Sequence, residues 1–452
     1  MILIMSYIQE YQSKLRSADD AVKIVKSGDV VHYSEFAMAS HILDEALAKR
    51  KDELFDVTIR VVSNYFPPQT ILCDPEKEHF VLHDSHLSGA TRKLADKDMG
   101  YHLPISYSEC GAYYDRGQIP VDVALLRVAP MDKHGFFNLG TSNSVAPNVL
   151  AVAKKVVLEV NENIPRCLGG SKEAVHISEV DYIVEGDNRP LVEVPPAPVS
   201  DADRMIAMLI MKEIEDGACL QLGIGGMPNT IGSLIAESDL KDLGIHTEML
   251  CDSMVDMCEA GRVNGKRKNI DYGKMVYTFA MGRQRLYDFL DDNPYCASYP
   301  ADYTNDPYVI SQNDNVISIN NALEIDLYGQ ICSESSGTRQ ISGTGGQFDF
   351  HYGAYRSKGG KGFLCMSSTA TQNGEMVSRV KPIITPGGII TMPRSLVFYI
   401  VTEYGMTRMI KGLSNWQRAE EIINVAHPQF RDDLIKEAQD NRIWRRSNKI
   451  EN

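Results

Sequence analysis

The chain has 452 residues, 43% of them hydrophobic, which is enough for two or more globular domains and argues against a disordered protein. Its formal net charge of -14 argues against nucleic acid or an anionic membrane as the main partner, because both require a broad basic surface. A small anionic ligand held by a local basic patch stays compatible with this charge.

Cysteine and histidine spacing and the amino terminus narrow the class of protein further. The nine cysteines are scattered singly and the histidines show no zinc-binding spacing, so we expect reduced thiols and no metal site. No run approaches the roughly 20 apolar residues of a transmembrane helix, and the apolar start at residues 1–5 is too short for a signal peptide. We therefore expect a cytoplasmic protein, with translation beginning at either Met1 or Met5.

The first half of the chain reads as alternating helices and buried strands. A turn at Gly28 precedes a short apolar segment and the loop at residues 34–37, after which residues 41–47 have a helical pattern. Another buried strand, at residues 123–128, is followed by Asp132 and, three residues later, by Gly135. This alternation is typical of an α/β domain with a parallel sheet.

A proline-rich segment at residues 189–201 marks the boundary between two domains. Its four prolines prevent a regular helix, and Ser200 or Asp201 then caps a helix predicted over residues 202–216. We place the N-terminal domain at residues 1–195 and the C-terminal domain at residues 196–452.

The second half of the chain repeats the first. Gly28 aligns with Gly217 at an offset of 189 positions, and Gly135 aligns with Gly329 at an offset of 194. The pattern of helix, turn, strand, loop and helix around these glycines keeps its order. The sequence therefore predicts an α/β protein with two similar open α/β domains that arose by internal duplication.

The two halves differ in the loop that follows the repeated strand. Where the second half has Gly223, Gly225 and Gly226, the first half has Ser34, Phe36 and Ala37. The same offset places Glu248 opposite Ile59. One explanation is that one copy kept an open glycine loop and a carboxylate, whereas the other copy filled both places with other side chains. The alternative is that the sequence drifted at two unconstrained positions.

The glycine loop at residues 223–229 follows a predicted strand and precedes a predicted helix. In that context, backbone N–H groups and the helix N-terminus suit an anion. The glycine spacing is neither that of a dinucleotide-binding fingerprint nor that of a P-loop. A tight structural turn explains the same residues equally well.

Glu248 lies in an apolar segment, residues 243–250, which we predict to be a strand. A carboxylate in such surroundings is costly unless it is paired or used, so Glu248 is a candidate nucleophile. The alternative is a glutamate at the rim that faces water. His246 shares the strand face of Glu248 and is either a base or a structural histidine.

Two other stretches are candidates for ligand contact. The glycine-dense segments at residues 342–349 and 359–362 allow a ligand to approach the backbone closely, or they form a wide pair of hairpins. A basic run formed by Arg262, Lys266, Arg267 and Lys268 fits a solvated loop better than a phosphate site.

Several motifs, taken in order, resemble the acetyl-CoA hydrolase/transferase group of family I CoA-transferases. They lie at residues 132–140, 223–229, 244–249, 321–330, 343–350, 401–405 and 426–431. The likeness covers nearly the whole chain. Within the group it is greatest to the butyryl-CoA:acetate and 4-hydroxybutyrate CoA-transferases.

This resemblance implies an active site in the cleft between the two domains, on the side of the C-terminal domain. It implies that Glu248 becomes a glutamyl-CoA thioester. It also implies that CoA and the reacting oxyanion are contacted by Gly223, Ile224, Gly225, Gly226, Met227, Gly345 and Gly346. Asn321 and Glu403 match auxiliary positions of the site.

The resemblance further implies a reaction and its partners. CoA would move by a ping-pong mechanism between acetyl-CoA or butyryl-CoA and butyrate, acetate or 4-hydroxybutyrate. CoA would be a substrate and not a permanently bound cofactor, no metal would take part, and the enzyme would be a homodimer. The alternatives are an acetyl-CoA hydrolase with the same intermediate and a non-catalytic CoA-binding paralogue. A Rossmann oxidoreductase does not fit the glycine spacing.

Overall fold

The computed structural model of the chain describes residues 2–195, 197–223 and 225–445. Contacts divide the chain into two compact units. The first unit contains the residues up to Pro195 together with Glu248–Asp252 and Lys274–Thr304. The second contains the residues from the linker to Thr247, Ser253–Gly273 and those from Asn305 onward. Two segments of the C-terminal half therefore group with the first unit.

Helices and strands alternate along the whole chain. The α-helices are α1 Ile2–Lys14, α2 Ala18–Ala21, α3 Ile42–Ala48, α4 Gln69–Leu72, α5 Gly89–Ala95, α6 Cys110–Asp115, α7 Ala146–Val152, α8 Asp201–Met211, α9 Gly226–Glu237, α10 Asp252–Glu259, α11 Gln284–Leu290, α12 Ala301–Thr304, α13 Pro307–Ile310, α14 Gln347–Arg356, α15 Asn415–Asn424 and α16 Pro428–Asp440. Single 3₁₀ turns occupy Val22–Ile24, Phe36–Met38, Lys51–Glu53 and Ile177–Glu179.

The strands are short, as is usual for α/β domains. They are β1 Val30–Tyr33, β2 Val57–Val61, β3 Phe80–Asp84, β4 Tyr101–His102, β5 Val123–Val128, β6 Phe136–Asn138, β7 Lys155–Val160, β8 Ala174–His176, β9 Tyr182–Glu185, β10 Cys219–Leu222, β11 Gly244–His246, β12 Met249–Leu250, β13 Met275–Tyr277, β14 Phe279–Ala280, β15 Cys296–Ser298, β16 Val316–Asn321, β17 Glu324–Asp326, β18 Ile331–Cys332, β19 Ser335–Ser336, β20 Arg339–Gln340, β21 Lys361–Cys365, β22 Thr369–Gln372, β23 Glu375–Ser378, β24 Val380–Lys381, β25 Tyr399–Thr402 and β26 Gly405–Met406.

The first unit is built on a parallel sheet with the strand order β4–β3–β2–β1–β5–β7–β9. All six residues of β5 are buried, as expected for a central strand covered on both faces. The apolar core on this sheet includes Val31, Ile59, Leu82 and Leu125. Of the remaining strands, β6–β8 and β12–β14 form two-stranded sheets, and β13 pairs with β15 in parallel.

In the second unit the strands lie in the order β11–β10–β16–β21–β25–β26, and only the last pair is antiparallel. A separate apolar core joins residues of the C-terminal helices to the sheet, among them Leu364, Ile400 and Ile422. Of the two predicted caps, Ser200 or Asp201, the structure has Ser200, whose hydroxyl accepts a hydrogen bond from the Asp203 amide at 3.1 Å. The remaining strands pair as β18–β17–β24, β19–β20 and β22–β23.

The predicted duplication is confirmed by the order and register of the two sheets. The strands β2–β1–β5–β7–β9 of the first unit correspond to β11–β10–β16–β21–β25 of the second. Val31 pairs with Ile59 and Val123, and Leu220 pairs with Ile245 and Ile317. The pairs Val31–Leu220 and Val123–Ile317 preserve the predicted offsets of 189 and 194 positions.

The predicted counterpart of Glu248 is wrong by three residues. Because Ile59 and Ile245 occupy the same register, the residue of the first unit that corresponds to Glu248 is Val62 and not Ile59. The register partners Val31 and Ile59 are 28 positions apart, whereas Leu220 and Ile245 are 25 apart, and the 3₁₀ turn Lys51–Glu53 lies in the longer connection. The offset measured at β1 therefore does not apply beyond this connection.

Candidate functional site

The glycine loop of the second unit is a turn between β10 and α9. β10 ends at Leu222, and the Gly223 amide donates to the Ile319 carbonyl at 2.8 Å. Gly225 precedes the 12 residues of α9 and has φ of +127°, a region that side chains with a Cβ rarely adopt. A Cβ on Gly225 would lie 3.1 Å from Nδ2 of Asn321. Ile224, another predicted contact residue, lies outside the described residues.

Asn321 and the second glycine segment lie at the same edge of the sheet as this turn. Asn321 ends β16, the strand beside β10, and its carbonyl accepts from Nε2 of Gln347 at 2.6 Å. Gln347 is the first residue of α14, which Gly346 precedes, and Gly345 has φ of +54°. The fold therefore brings the predicted residues Gly225, Asn321 and Gly346 together at two helix N-termini.

This edge is the point where the strand order of the second sheet reverses. The chain leaves β10 through α9 and returns in β11 on one side, and it leaves β16 through α14 and returns in β21 on the other. In open α/β sheets, ligands bind outside the carboxyl ends of the strands at such a point. The N-termini of α9 and α14 add partial positive charge, which suits an anion.

Met227 contributes to this turn through its backbone and not through its side chain. It lies in the first turn of α9, and its side chain is buried in the core of the second unit. Gly226 is also enclosed, since a Cβ there would lie 2.7 Å from the carbonyl of Pro198. Their backbone positions at the helix N-terminus remain those that the sequence motif predicts.

Buried polar side chains lie beneath the turn. Gln221, Ser318 and Asn320 belong to the otherwise apolar strands β10 and β16. The Ser318 hydroxyl and the Asn320 amide donate to Oε1 of Gln221 at 2.7 and 3.0 Å, and Nε2 of Gln221 donates to Oδ1 of Asn320 at 3.1 Å. A satisfied polar network of this kind fixes the strand ends, and with them the turn.

Glu403 lies at the same edge of the sheet but is held by its neighbours. It follows β25, and its carboxylate accepts from the amide and the hydroxyl of Ser368 at 2.8 and 2.6 Å. The guanidinium of Arg379 donates to the carbonyls of Ala322 and Leu323, each at 2.7 Å. Burial lowers the pKa of Arg379, and the charge of Glu403 opposes that shift. Arg379, which the motifs did not indicate, thus links Glu403 to the segment after Asn321.

Glu248 lies between two short strands instead of within one. The strand predicted over residues 243–250 is interrupted, because β11 pairs with β10 whereas β12 pairs with β14. The Glu248 carbonyl accepts from the amides of Thr278 and Phe279 at 3.0 and 3.2 Å. The side chain of Glu248 is half-buried, so it is not a glutamate on an exposed rim.

His246 packs as a structural residue in the second unit. Its ring is buried and lies edge-on to Phe350 at 6.2 Å between centroids. Of the two interpretations of this histidine, the packing favours the structural one.

Two of the other predicted stretches lie away from the turn. Residues 359–362 lead into the amino end of β21, so they occupy the sheet edge opposite to Gly345 and Gly346. In the basic run, Arg267 pairs with Asp242 at 3.1 Å, and the buried Lys268 donates to the Ile245 carbonyl at 3.1 Å. These side chains stabilise the surrounding backbone.

The first unit contains a polar cluster that the sequence analysis missed. Oη of Tyr107 lies 2.6 Å from Oγ of Ser144, and Glu35 is buried beside Ser144. The pKa of Tyr107 is raised well above its usual value, first by burial and then by the charges of Glu35 and Glu248. Glu35 was visible in the sequence as an acidic residue at the end of a buried strand, in the loop that replaces the glycine turn.

Phe36 and Phe279 form an aromatic stack in the same part of the first unit. Their ring centroids are 3.7 Å apart and their planes differ by 7°. Phe36 has φ of +53°, which is rare and strained for a bulky residue. Since the Phe279 amide donates to the Glu248 carbonyl, the stack supports the backbone on which Glu248 is carried.

Within the described part of the chain, no helix is long and apolar enough to cross a membrane. The described residues also contain no group of three or more histidine, cysteine or acidic side chains arranged to hold a metal ion. No disulfide joins the cysteines, all of which lie in the described ranges.

Comparison with known proteins gives matches along most of the chain. Residues 3–195 match the acetyl-CoA hydrolase/transferase N-terminal domain, and residues 282–438 match the C-terminal domain of the same family. The butyryl-CoA:acetate CoA-transferase of Anaerostipes caccae is 54% identical, covering 98% of this chain and 100% of the relative. The 4-hydroxybutyrate coenzyme A transferase of Clostridium kluyveri is 39% identical over 96% and 99% of the two chains.

A solved structure also matches over nearly the full length. The crystal structure of RipA from Yersinia pestis superposes with a TM-score of 0.88 at 36% sequence identity, covering 97% of this chain and 99% of that one. The match agrees with the two parallel-sheet α/β units described above.

Proposed function

The chain belongs to the acetyl-CoA hydrolase/transferase family, and from this premise we propose that it transfers CoA between a short-chain acyl-CoA and a short-chain carboxylate. The observation that carries the proposal is the 54% identity, over the full length, to a butyryl-CoA:acetate CoA-transferase. Butyryl-CoA or acetyl-CoA is the proposed donor, and acetate or butyrate is the proposed acceptor. The 4-hydroxybutyrate enzyme is the more distant relative of the two, which makes 4-hydroxybutyrate the second choice.

The proposed nucleophile is Glu248. A carboxylate is ionised at neutral pH and needs no base, so the chemistry requires no serine or cysteine triad. Glu248 attacks the acyl-CoA carbonyl and gives a mixed anhydride and CoA thiolate. The thiolate then attacks the Glu248 carbonyl, which forms a glutamyl-CoA thioester and releases the free acid. The acceptor carboxylate reverses both steps.

Each of these attacks passes through a tetrahedral oxyanion that needs N–H donors. We assign the donors to the backbone of residues 223–227 and to Gly345 and Gly346. The φ of Gly225, the place of the turn before α9 and the proximity of Asn321 support this assignment within the second unit. Glu248 follows the carboxyl end of β11 by two residues, and β11 is the neighbour of β10, at whose end the turn begins.

Glu403 and Asn321 are proposed to position the site instead of reacting. Asn321 lies against Gly225, and Glu403 is connected to the next residues of the chain through Arg379. CoA is a substrate in this scheme and not a resident cofactor. A cytoplasmic homodimer is part of the proposal, and sedimentation of the purified enzyme tests the dimer.

Trapping of the thioester tests the mechanism. Borohydride added with butyryl-CoA reduces a glutamyl-CoA thioester, and peptide mapping should then locate the modification at Glu248. Glu248→Gln should give neither the modification nor transfer. Labelling at another residue, or wild-type transfer by Glu248→Gln, would contradict the assignment of the nucleophile.

Two assays separate the alternative functions. A hydrolase forms the same thioester but releases free CoA without an acceptor. A transferase should release little free CoA and should form acetyl-CoA from butyryl-CoA only when acetate is added. A non-catalytic CoA-binding paralogue would show no ping-pong kinetics. A panel of acetate, butyrate and 4-hydroxybutyrate, with one acyl-CoA donor, ranks the acceptors by kcat/KM.

A further inference from the structure

A buried carboxyl group without a described partner lies at the end of β1. Glu35 is 3% exposed, and within the described ranges neither of its carboxyl oxygens has a hydrogen-bond partner of good geometry. The Ser144 hydroxyl and the Val145 amide are close enough to lower its pKa, although their geometry falls short of a hydrogen bond. Buried polar groups are nearly always satisfied, so an unsatisfied carboxyl calls for an explanation.

The groups that face Glu35 come from several elements of the first unit. Nε2 of His32 on β1 lies 3.9 Å from Oε1 of Glu35, and Arg60 on β2 and Asp84 on β3 act on it through their charges. Tyr107, and Tyr114 on α6, have their pKa values raised by burial and, in part, by the charge of Glu35. Glu35 therefore lies among one cation, one carboxyl and three aromatic or imidazole groups.

Of these groups, Glu35 is the one that changes charge between pH 7 and 9. Burial raises the pKa of Glu35 to about 8, Ser144, Val145 and Arg60 lower it, and Asp84 raises it. Burial lowers the pKa of His32 to about 3, so that ring is neutral in this range. Burial raises the pKa of Asp84 to about 6, so it is ionised there. At pH 7 Glu35 is therefore a neutral acid that can donate a hydrogen bond.

Tyr107 and Thr278 connect this acid to Glu248. The phenol of Tyr107 experiences the charges of both Glu35 and Glu248, and its oxygen lies 2.6 Å from that of Ser144. The Ser144 amide donates to the Thr278 carbonyl at 3.1 Å, and the Thr278 amide donates to the Glu248 carbonyl at 3.0 Å. Tyr107 therefore lies within electrostatic reach of both Glu35 and Glu248, and the backbone of Ser144 is joined to that of Glu248 through Thr278.

We propose that Glu35, together with Tyr107 and Ser144, binds the acceptor carboxylate beside Glu248. This inference rests on the proposed CoA-transferase function and assigns a residue to acceptor recognition. One acceptor oxygen attacks the Glu248 thioester carbonyl and forms the anhydride while CoA thiolate leaves. The other acceptor oxygen accepts a hydrogen bond from the Glu35 carboxyl, whose proton stays on Glu35 throughout.

Ionisation of Glu35 would end this interaction. Ionised Glu35 has no proton to donate, and its charge repels the acceptor carboxylate in surroundings of low dielectric constant. The acyl-CoA carbonyl that Glu248 attacks in the first half-reaction is uncharged and does not meet this repulsion. The two half-reactions should therefore differ in their response to pH.

The experiment measures KM for acetate, with butyryl-CoA as donor, from pH 6.5 to 9.5. For the wild type, we expect KM for acetate to rise by about tenfold or more between pH 7 and 9.5, because only the neutral form of Glu35 binds the acceptor. In Glu35→Gln, an amide donates at every pH, so this KM should change by less than about twofold over the range. The exposed Glu109→Gln, in the same unit, is the matched control and should keep the wild-type profile.

A second variant tests the inference even if Glu35→Gln does not fold. Tyr107→Phe removes one hydroxyl but leaves Glu35 in place. It should raise KM for acetate several-fold at every pH and keep the rise between pH 7 and 9.5. KM for butyryl-CoA should change little in either variant.

Three results would overturn the inference. They are a wild-type KM for acetate that does not vary with pH, a Glu35→Gln profile equal to that of the wild type, or equal loss of kcat/KM for donor and acceptor. Formation of acetyl-CoA from butyryl-CoA and acetate distinguishes this failure from failure of the proposed function. If only the inference fails, the wild type and Glu35→Gln still form acetyl-CoA, whereas neither forms it if the proposed function is wrong.

Discussion

The two units contain sheets of the same topology, but different side chains occupy the carboxyl ends of their central strands. In the first unit Arg127 and Glu159 face each other across β5 and β7, with Nε of Arg127 3.5 Å from Oε1 of Glu159 and both side chains fully buried. By register, the corresponding residues of the second unit are Asn321 and Cys365. Burial raises the pKa of the Cys365 thiol, so this position carries no charge at neutral pH.

The difference between these two residue pairs determines which side chains lie at the helix N-terminus above each sheet. Oε2 of Glu159 accepts from the amides of His41 and Leu43 at the start of α3, and from the Ser40 hydroxyl. The first unit thus places the Glu159 carboxyl group at the N-terminus of α3, although burial raises its pKa. The second unit has glycine and neutral side chains at the equivalent strand ends, which suits a charge that appears only during reaction.

The turn after the first strand shows the same contrast within one backbone geometry. Phe36 and Gly225 occupy equivalent positions, and both have positive φ, +53° and +127° respectively. In the first unit the side chain of Phe36 stacks on Phe279, whereas Gly225 leaves its backbone next to Asn321. At this turn the duplicated scaffold therefore carries a stacked aromatic side chain in one copy and an open glycine backbone in the other.

Removing the carboxylate that only one copy has should produce the largest effect. We expect Glu248→Gln to lower kcat for CoA transfer by roughly 10³-fold or more, since the nucleophile is lost. Steady-state transfer from butyryl-CoA to acetate measures it. Glu109→Gln, on the surface of the first unit, should transfer at the wild-type rate. Near-normal turnover by Glu248→Gln would remove the functional difference between the copies.

The pH dependence of stability tests the buried acid of the first unit. The pKa of Glu35 in the folded chain, about 8, lies above its usual value of 4.5, so the folded chain holds a proton that the unfolded chain releases. The wild-type free energy of unfolding should therefore fall, relative to that of Glu35→Gln, by up to about 1.4 kcal/mol per pH unit between pH 5 and 8. Urea unfolding of both proteins at several pH values measures this difference. If the free energies of unfolding of the two proteins change in parallel with pH, Glu35 is ionised in the folded chain.

Removing the buried Glu159 carboxyl group of the first unit should affect stability and not chemistry. Glu159→Ala leaves the Arg127 guanidinium buried without its partner, which costs roughly 3 kcal/mol in the free energy of unfolding. The exposed Glu53→Ala breaks the surface pair with Arg50 and should cost less than about 1 kcal/mol. Urea unfolding of both variants measures the two losses of stability. A large loss of kcat in Glu159→Ala, with stability unchanged, would mean that the Arg127–Glu159 pair takes part in the reaction.

Adding one methyl group to the turn of the second unit should slow the reaction. Gly225→Ala strains a backbone at φ of +127° and places a Cβ 3.1 Å from Asn321, which displaces the proposed oxyanion donors. We expect kcat to fall by about tenfold to a hundredfold. Gly412→Ala has comparable backbone strain at φ of +87° with nothing within 4 Å, and should turn over normally. Equal rates for both variants would exclude the turn from the chemistry.

Local pattern was sufficient for the duplication and for part of the proposed site. Buried parallel strands are short apolar runs bounded by turns, so the repeat could be read from Gly28, Gly135 and their partners Gly217 and Gly329. The glycine turn, Asn321 and Gly346 followed from motif order, and the second unit brings them to one edge. Glu248 as the nucleophile stays a prediction that trapping must test.

Tertiary structure decided the register, the sheet edge and the charge state of each group. An added 3₁₀ turn moved the counterpart of Glu248 from Ile59 to Val62, and only the strand pairing reveals this shift. Residues 359–362 resembled a ligand loop but lie at the amino end of β21, because a glycine motif does not specify its sheet edge.

The chain by itself thus determined the two α/β units, the glycine turn and the family to which it belongs. It could not determine the roles of Glu35, Tyr107 and Arg379, since these depend on burial and on neighbours distant in sequence. Burial raises the pKa of Glu35 only because β2, β3 and the segment at Ser144 enclose it. Sequence fixes which groups can ionise, whereas desolvation and nearby charges, which exist only in the folded chain, decide which of them do.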